Sequence, residues 1–253
     1  MARDRTTRYR YFGFLQNASA RATYFLVPSL AFIVCLFWLV KRVDARRLKR
    51  NTALDLAIVF MSTGFIFARL FHVFFEEPAY YLEDFSRVLD VWSGGFVWYG
   101  GVVFGTLSGV LLMRWRKEPI ARWLDLFAPI GALGYALGRF ACLFVGCCYG
   151  KTFVWNEHII RHPTQLYSIV LELLALAYLL RVEKSGRLRE GELILRWVII
   201  HGINRLVIEQ FRGDPRGPEL LGLSIATWIS SALILSAGAV TFLGYRPEKK
   251  RPA

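Results

Sequence analysis

Three arginines stand inside otherwise apolar runs of this chain: Arg69, Arg139 and Arg205. A cation at the centre of a membrane helix costs about 2.5–3.5 kcal/mol even on a lenient insertion scale, so three of them ask for a chemical reason. A guanidinium is planar and pairs two phosphate oxygens at once, which an ammonium cannot do. His72 lies one turn after Arg69, and His201 one turn before Arg205. Other polar groups sit where further apolar runs begin: Tyr99 with Gly100 and Gly101, then His162, Gln165 and Tyr167. Glu209 and Arg212 follow Arg205. This set suits an anion that carries a lipid tail, such as a phospholipid headgroup.

The elements that must carry these residues follow from composition. The chain has 253 residues, 55% of them hydrophobic, and a net charge of +13. Apolar and charged residues occupy separate blocks. Ala22–Val40, Val91–Met113 and Leu220–Tyr245 contain no charge, and each meets the length of roughly 18 residues needed to span a membrane. Stretches 54–75, 124–145, 163–181 and 193–211 are apolar but interrupted by charge. The fold class expected is all-α: a polytopic membrane protein with about seven transmembrane helices. Residues 1–21 form a basic arm, 22–245 one transmembrane domain, and 246–253 a basic tail. An ordinary soluble domain and a disulfide scaffold are both excluded.

Basic residues fall in alternate connections. Segments 41–50, 114–122 and 181–196 and the tail after Tyr245 hold nineteen of the 32 Lys and Arg. By the positive-inside rule these face the cytoplasm, which puts the N-terminus outside and the C-terminus inside. The excess charge is thus read as topology, with no nucleic-acid partner. The arm, with Arg3, Arg5, Arg8 and Arg10, runs against the rule and is expected to lie along the headgroups. Six tryptophans near span ends (Trp38, Trp92, Trp98, Trp115, Trp123, Trp197) read as interfacial belts. In this topology the three arginines share one depth, roughly 5–7 Å outward of the bilayer centre at a rise of about 1.5 Å per residue. Glu172 and Glu209 are possible partners for them.

Cys142, Cys147 and Cys148 cluster after the fourth span, with His158 and His162 beyond them. They read first as packing residues or as a disulfide of Cys142 with Cys147 or Cys148. A redox or acceptor role comes next. Zinc comes last, because adjacent cysteines rarely point at one ion.

Five segments resemble, in order, the prolipoprotein diacylglyceryl transferase family. Asp90–Gly101, which includes Trp92, Gly94, Gly95, Tyr99, Gly100 and Gly101, resembles its W-x-G-G-L-S-F-H-G-G segment. Gly64–Phe75, with Arg69-Leu70, resembles its second-span G-A-R-L pattern. Asp125, Ala128-Pro129 and Gly138-Arg139-Phe140 resemble the approach to its signature, G-R-x-G-N-F-x-N-x-E. His162-Pro163-Thr164-Gln165-Leu166-Tyr167 matches its H-P-T-Q-L-Y segment without a gap, and Arg205, Glu209, Phe211 and Arg212 match R-x-x-x-E-x-F-R. The chain also departs from the family. Cys142, Val145 and Cys147 replace the signature's Asn, Asn and Glu. Tyr99 replaces His, His201 replaces Tyr, and Thr227 replaces Gln.

The resemblance implies a multi-pass enzyme of the bacterial cytoplasmic membrane, its active site facing the outer leaflet. Such an enzyme moves the diacylglyceryl group of phosphatidylglycerol to the lipobox cysteine in the signal peptide of a prolipoprotein. It forms a thioether and releases glycerol phosphate. Membrane lipids are the other partners, and no cofactor or metal is implied. The catalytic residues expected are Arg139, Arg205, Tyr99 and His201. Substrate contacts are expected from Arg69, His162, Gln165, Tyr167, Gly100, Gly101, Glu209 and Arg212, with Arg69 inclined to a structural role. Arg139 and Arg205 are expected to clamp the phosphate. The base is harder to place, because a tyrosine, with a pKa of about 10, is a poor base at neutral pH. The departures keep open a same-fold transferase with another acceptor, or a protein that binds anionic lipid without chemistry.

Overall fold

Runs of Leu, Phe, Ile, Val and Ala become long helices in the computed structural model, which describes residues 18–155, 158–214 and 219–243. In chain order the main helices are α1 (Ala18–Ala45), α2 (Arg50–Phe71), the short α3 (Pro78–Glu83), α4 (Trp98–Trp115), α5 (Ile120–Val145), α6 (Thr164–Lys184), α7 (Glu192–Phe211) and α8 (Ile225–Phe242). The predicted basic arm up to residue 17 and the tail 246–253 lie outside the described residues.

Leu26–Ala45, Arg50–Glu76, Ile120–Phe144, Thr164–Lys184 and Ile225–Phe242 are long and apolar enough to cross a membrane. Their surfaces match that medium. Leu26, Leu30, Ile33 and Phe37 recur every three or four residues along α1, and each is more than half exposed. The other two predicted spans, α4 and α7, are helices but fall outside these five. Glycines and polar ends dilute α4, and Glu192, Arg196, Arg205 and Glu209 interrupt α7.

The described chain forms two compact units, one of residues 18–26 and 43–120, the other of residues 27–42 and 121–243. In the first, α2 and α4 pack together at glycines. A Cβ on Gly101 would stand 2.9 Å from the Gly64 carbonyl oxygen, and one on Gly100 would stand 2.8 Å from that of Phe67. Small residues thus let the two backbones meet. The turns at one end of this pair are tied by Arg116–Asp55 (2.5 Å) and Lys49–Glu118 (3.1 Å).

In the second unit, Ala128, Ala132, Leu179 and Leu193 make a fully buried contact among α5, α6 and α7. Asp125 of α5 holds the start of α7: its carboxylate accepts from the Gly191 N–H (2.6 Å) and the Ile194 N–H (2.9 Å). Gly191 can stand there because its φ is +90°. The carboxylate therefore satisfies donors that a helix start otherwise leaves open. Arg42 closes a further tie with two bonds to Glu183, at 2.8 and 2.9 Å.

Several expectations need correction. The uncharged run from Val91 is not helical throughout: a 3₁₀ turn at Val91–Ser93 and positive φ at Gly94 and Gly95 precede α4. The run from Leu220 opens in a hairpin of β3 (Glu219–Leu220) and β4 (Leu223–Ser224), before α8. A second hairpin, β1 (Thr152–Trp155) with β2 (His158–Arg161), follows the cysteines; the two hairpins are short additions to a mostly helical fold of the expected all-α class. Trp123 is fully buried, and Trp197 packs over Gly131, where a Cβ would come within 2.5 Å of its ring. Trp123 is thus a core residue and not a belt residue, and Trp197 is partly buried against the Ala128–Leu193 cluster.

Candidate functional site

In the first unit Arg69 is buried on α2, and its guanidinium is surrounded by carbonyls. Nε donates to Val88 O (3.1 Å), Nη2 to Arg87 O (2.6 Å) and Asp90 O (2.9 Å), and Nη1 to Gly95 O (3.1 Å) and Gly94 O. A guanidinium has five N–H groups, and these five acceptors account for all of them. These bonds fold the 85–95 loop onto α2, in line with the structural role to which Arg69 is inclined. Positive φ at Gly94 and Gly95 turns the carbonyls toward it. His72 joins this structure, with Nδ1 2.9 Å from Tyr81 Oη. Gly100 and Gly101, also expected at the substrate, lie where α4 meets the α2 backbone. Tyr99 stands in the first turn of α4, half-buried.

The second unit gathers most of the other expected residues. Tyr135, Ser168, Glu172, His201, Asn204, Arg205 and Ile208 line a narrow crevice, too tight in this conformation to admit a water molecule. Glu172 is almost completely buried. Its Oε1 lies 2.7 Å from His201 Nδ1, and its carboxylate also receives Trp197 Nε1 and Asn204 Nδ2, each at 3.4 Å. A carboxylate on Nδ1 fixes the imidazole tautomer and leaves Nε2 as the free ring nitrogen. The Tyr135 ring meets His201 edge-on at 4.6 Å. One turn further along α5, Arg139 Nη2 donates to Tyr135 Oη at 2.5 Å and the guanidinium lies over that ring. A polar track therefore runs from Arg139 through Tyr135 and His201 to Glu172, hydrogen-bonded at its two ends and joined in the middle by the edge-on ring contact. Arg205, on the same α7 as His201, pairs with Glu209 at 2.7 Å. Glu209 in turn accepts from Ser224 Oγ at 2.5 Å.

His162 is elsewhere in this unit. It stacks on Phe153 and packs against Tyr167 and Phe211, with Nδ1 3.3 Å from Tyr167 Oη. Of the two histidines expected near the chemistry, only His201 lines the crevice with Arg205. Gln165 and Thr164 open α6 by donating to the Cys147 and Cys148 carbonyls, each at 2.5 Å. Gln165 thus holds the turn that carries Cys147.

The three cysteines converge at that turn. The Cys147 N–H closes onto Cys142 O (3.1 Å), and Cys148 adopts a left-handed φ of +61°. All three Sγ atoms lie within 4.8 Å of one another. The turn is anchored to the end of α7, where Lys151 N–H donates to Phe211 O (2.8 Å) and Gly150 bridges Arg212. Gly150 admits no side chain, since a Cβ would stand 2.6 Å from His162 O. Arg212 is buried and makes two bonds to Asp214, at 2.8 and 2.5 Å. The Cys142 and Cys147 thiols hydrogen-bond toward Cys148, and Arg212 and Arg139 add positive charge beside it. Together they hold the Cys148 thiol well below the ordinary thiol range, against its burial.

Sequence reasoning underrated Glu172 and missed Tyr135 and Ser224. Glu172 had a readable signal, as a lone carboxylate within the apolar stretch 163–181. Tyr135 and Ser224 had none, because their importance lies in which side chains they meet.

A sequence profile described as prolipoprotein diacylglyceryl transferase matches residues 17–243. The phosphatidylglycerol–prolipoprotein diacylglyceryl transferase of Clostridium tetani is 30% identical over 225 residues, covering 82% of this chain and 86% of its own length. The proteins of the same name from Streptococcus pneumoniae and Pediococcus pentosaceus are 28% and 26% identical. Each aligns with 90% of this chain, over 91% and 87% of its own length respectively.

Proposed function

The chain belongs to the prolipoprotein diacylglyceryl transferase family, and on that premise we propose that it transfers the diacylglyceryl group of phosphatidylglycerol to a prolipoprotein cysteine. The acceptor is the lipobox cysteine of the signal peptide. Its thiolate attacks the glycerol carbon that bears the phosphate. A C–S bond forms and the C–O bond breaks. The electron pair leaves on the phosphate of glycerol phosphate.

The observation that carries this reading is the polar track from Arg139 to the His201–Glu172 pair, with Arg205 in the same crevice. The departing phosphate gains charge as the C–O bond breaks, and a guanidinium fixed in place stabilises it without reorganisation. Arg139 is the leading phosphate ligand, and Arg205 the second once Glu209 shares its charge with Ser224. His201 is the general base. The buried Glu172 holds its Nδ1, so Nε2 takes the proton of the acceptor thiol. A positioned base of this kind contributes roughly 10²–10⁴-fold. Arg212 backs the site through the Cys148 turn.

The same reading puts seven helices across the bacterial cytoplasmic membrane, α4 and α7 included. The N-terminus is outside, the C-terminus cytoplasmic, and the crevice opens toward the outer leaflet. Short basic turns at 46–49, 116–119 and 185–191 then face the cytoplasm, and the longer connections with both hairpins face out. A charged α7 is admissible when its charges face protein, and Arg205 and Glu209 do so.

Purified protein in phosphatidylglycerol vesicles, given a lipobox peptide and lipid labelled in the diacylglyceryl group, tests the reaction. Thioether-linked peptide and glycerol phosphate should appear in equal amounts. A folded protein that binds the lipid but modifies no peptide would favour a lipid-binding role. A second acceptor has one specific observation in its favour, the three-cysteine turn where the family signature has Asn and Glu. Transfer to thiols lacking a lipobox would identify that case.

A further inference from the structure

The transfer to a lipobox cysteine assigns no step to the Cys142, Cys147 and Cys148 thiols, yet the turn that carries them is closely held within the second unit. We propose that these three cysteines form a metal site for one thiophilic divalent cation of the zinc class, with a fourth coordination position left for a water or an external ligand.

Geometry is the first argument. All three Sγ atoms lie within 4.8 Å of one another. Zinc–sulfur bonds of about 2.3 Å require sulfurs about 3.8 Å apart in a tetrahedral site, so small side-chain rotations suffice. The adjacency of Cys147 and Cys148, an obstacle in extended or helical backbone, is removed here by the left-handed φ of Cys148. That conformation is uncommon outside glycine and is held in place from outside. Thr164 Oγ1 and Gln165 Nε2 pin the two cysteine carbonyls, and the Cys147 N–H closes on Cys142 O.

Charge is the second argument. Three thiolates and a divalent ion carry one net negative charge. Arg139 stands one turn before Cys142, and Arg212 is bridged to Gly150 beside the turn with Asp214 as its own counter-charge. A divalent ion thus keeps the cluster at a single negative charge beside Arg139, and Arg212 and Asp214 balance each other. A monovalent ion would leave the cluster with two. A disulfide would use two of the three sulfurs and leave the third with no reason to converge. Among the described residues no His, Asp or Glu ligand atom joins the cluster. Three protein ligands with one position open is the pattern of a site that exchanges a ligand.

The test uses the full chain, reduced and purified in detergent, with zinc ions as the probe. Metal content after dialysis should approach one zinc per chain. Cobalt in its place should give intense sulfur-to-metal charge-transfer absorption. Zinc should slow alkylation of Cys142, Cys147 and Cys148, mapped by mass spectrometry, and leave Cys35 unchanged. The alkylation readout needs no variant. Cys142→Ser and Cys148→Ser should each reduce zinc content at least tenfold, and Cys35→Ser should not. Equal alkylation with and without zinc overturns the site. So does a disulfide among the three cysteines in protein prepared without reductant that zinc and mild reductant do not convert to the metal form.

Discussion

His201 Nδ1 lies 2.7 Å from Glu172 Oε1, and that carboxylate is 1% exposed, so the imidazole of α7 is oriented by a charge buried in α6. A base oriented in this way should show itself in rate more than in binding. His201→Gln keeps the bulk and a hydrogen-bonding side chain but cannot accept the thiol proton. Transfer should fall roughly 10²–10⁴-fold, with little change in the KM for lipid. Glu172→Gln should lower the same rate less, because the imidazole remains. Steady-state kinetics with labelled lipid separates the two, and an unchanged rate for His201→Gln would remove it as the base.

Arg139 should be sensitive to shape as well as to charge. Its guanidinium is set by Tyr135, through a 2.5 Å bond and by stacking over the ring. Arg139→Lys keeps the charge but loses the fork that pairs two phosphate oxygens. Loss of one such transition-state donor costs roughly 3–4 kcal/mol, a rate loss of about 10²–10³-fold. Arg139→Ala should lose more. Tyr135→Phe, which removes only the hydroxyl, should fall between wild type and Arg139→Lys. The order of the three rates is the measurement.

Arg69 should behave in the opposite way. All its donors go to loop carbonyls, so its loss should appear as instability and only secondarily as lost transfer. Arg69→Gln strands several acceptors, and each bond to a charged donor is worth about 1.5–3 kcal/mol. Gly95→Ala should mimic it, because its φ is +81° and a Cβ would come within 2.7 Å of Arg69 Nη1. Thermal unfolding in detergent and hydrogen exchange over 85–95 should both report the loss. A variant of normal stability with no activity would return Arg69 to the site.

This contrast marks where reading from sequence stops. The helices were legible because hydropathy blocks are a property of composition, and Asp125, Arg139, His201 and Arg205 were all visible as polar residues at chosen levels. Apolar composition does not separate helix from loop, however, so Val91–Val97 reads as membrane although Gly94 and Gly95 bend it away. Nor does depth separate two arginines: the structural leaning of Arg69 gains a physical reason only once its five carbonyl acceptors are known. The cysteine turn is the sharpest case. Adjacent cysteines normally diverge, and only the left-handed φ of Cys148 brings them together.

Asp125 links fold to site over the greatest distance along the helix. Its carboxylate holds the first turn of α7, and His201 and Arg205 ride on that helix ten and more residues on. Asp125→Ala leaves the Gly191 and Ile194 N–H groups without that acceptor in a buried setting, a loss of about 1–3 kcal/mol. The result should be a lower unfolding temperature together with a moderate fall in rate, since the start of α7 no longer has a fixed register against α5. Asp125→Asn offers one acceptor oxygen in place of two and should recover part of both. If stability falls while transfer per folded molecule stays at the wild-type level, α7 is held in position by its contacts with α6 and α8 alone. Equal falls in the two would mean that the cap at Gly191 sets where the His201 imidazole stands.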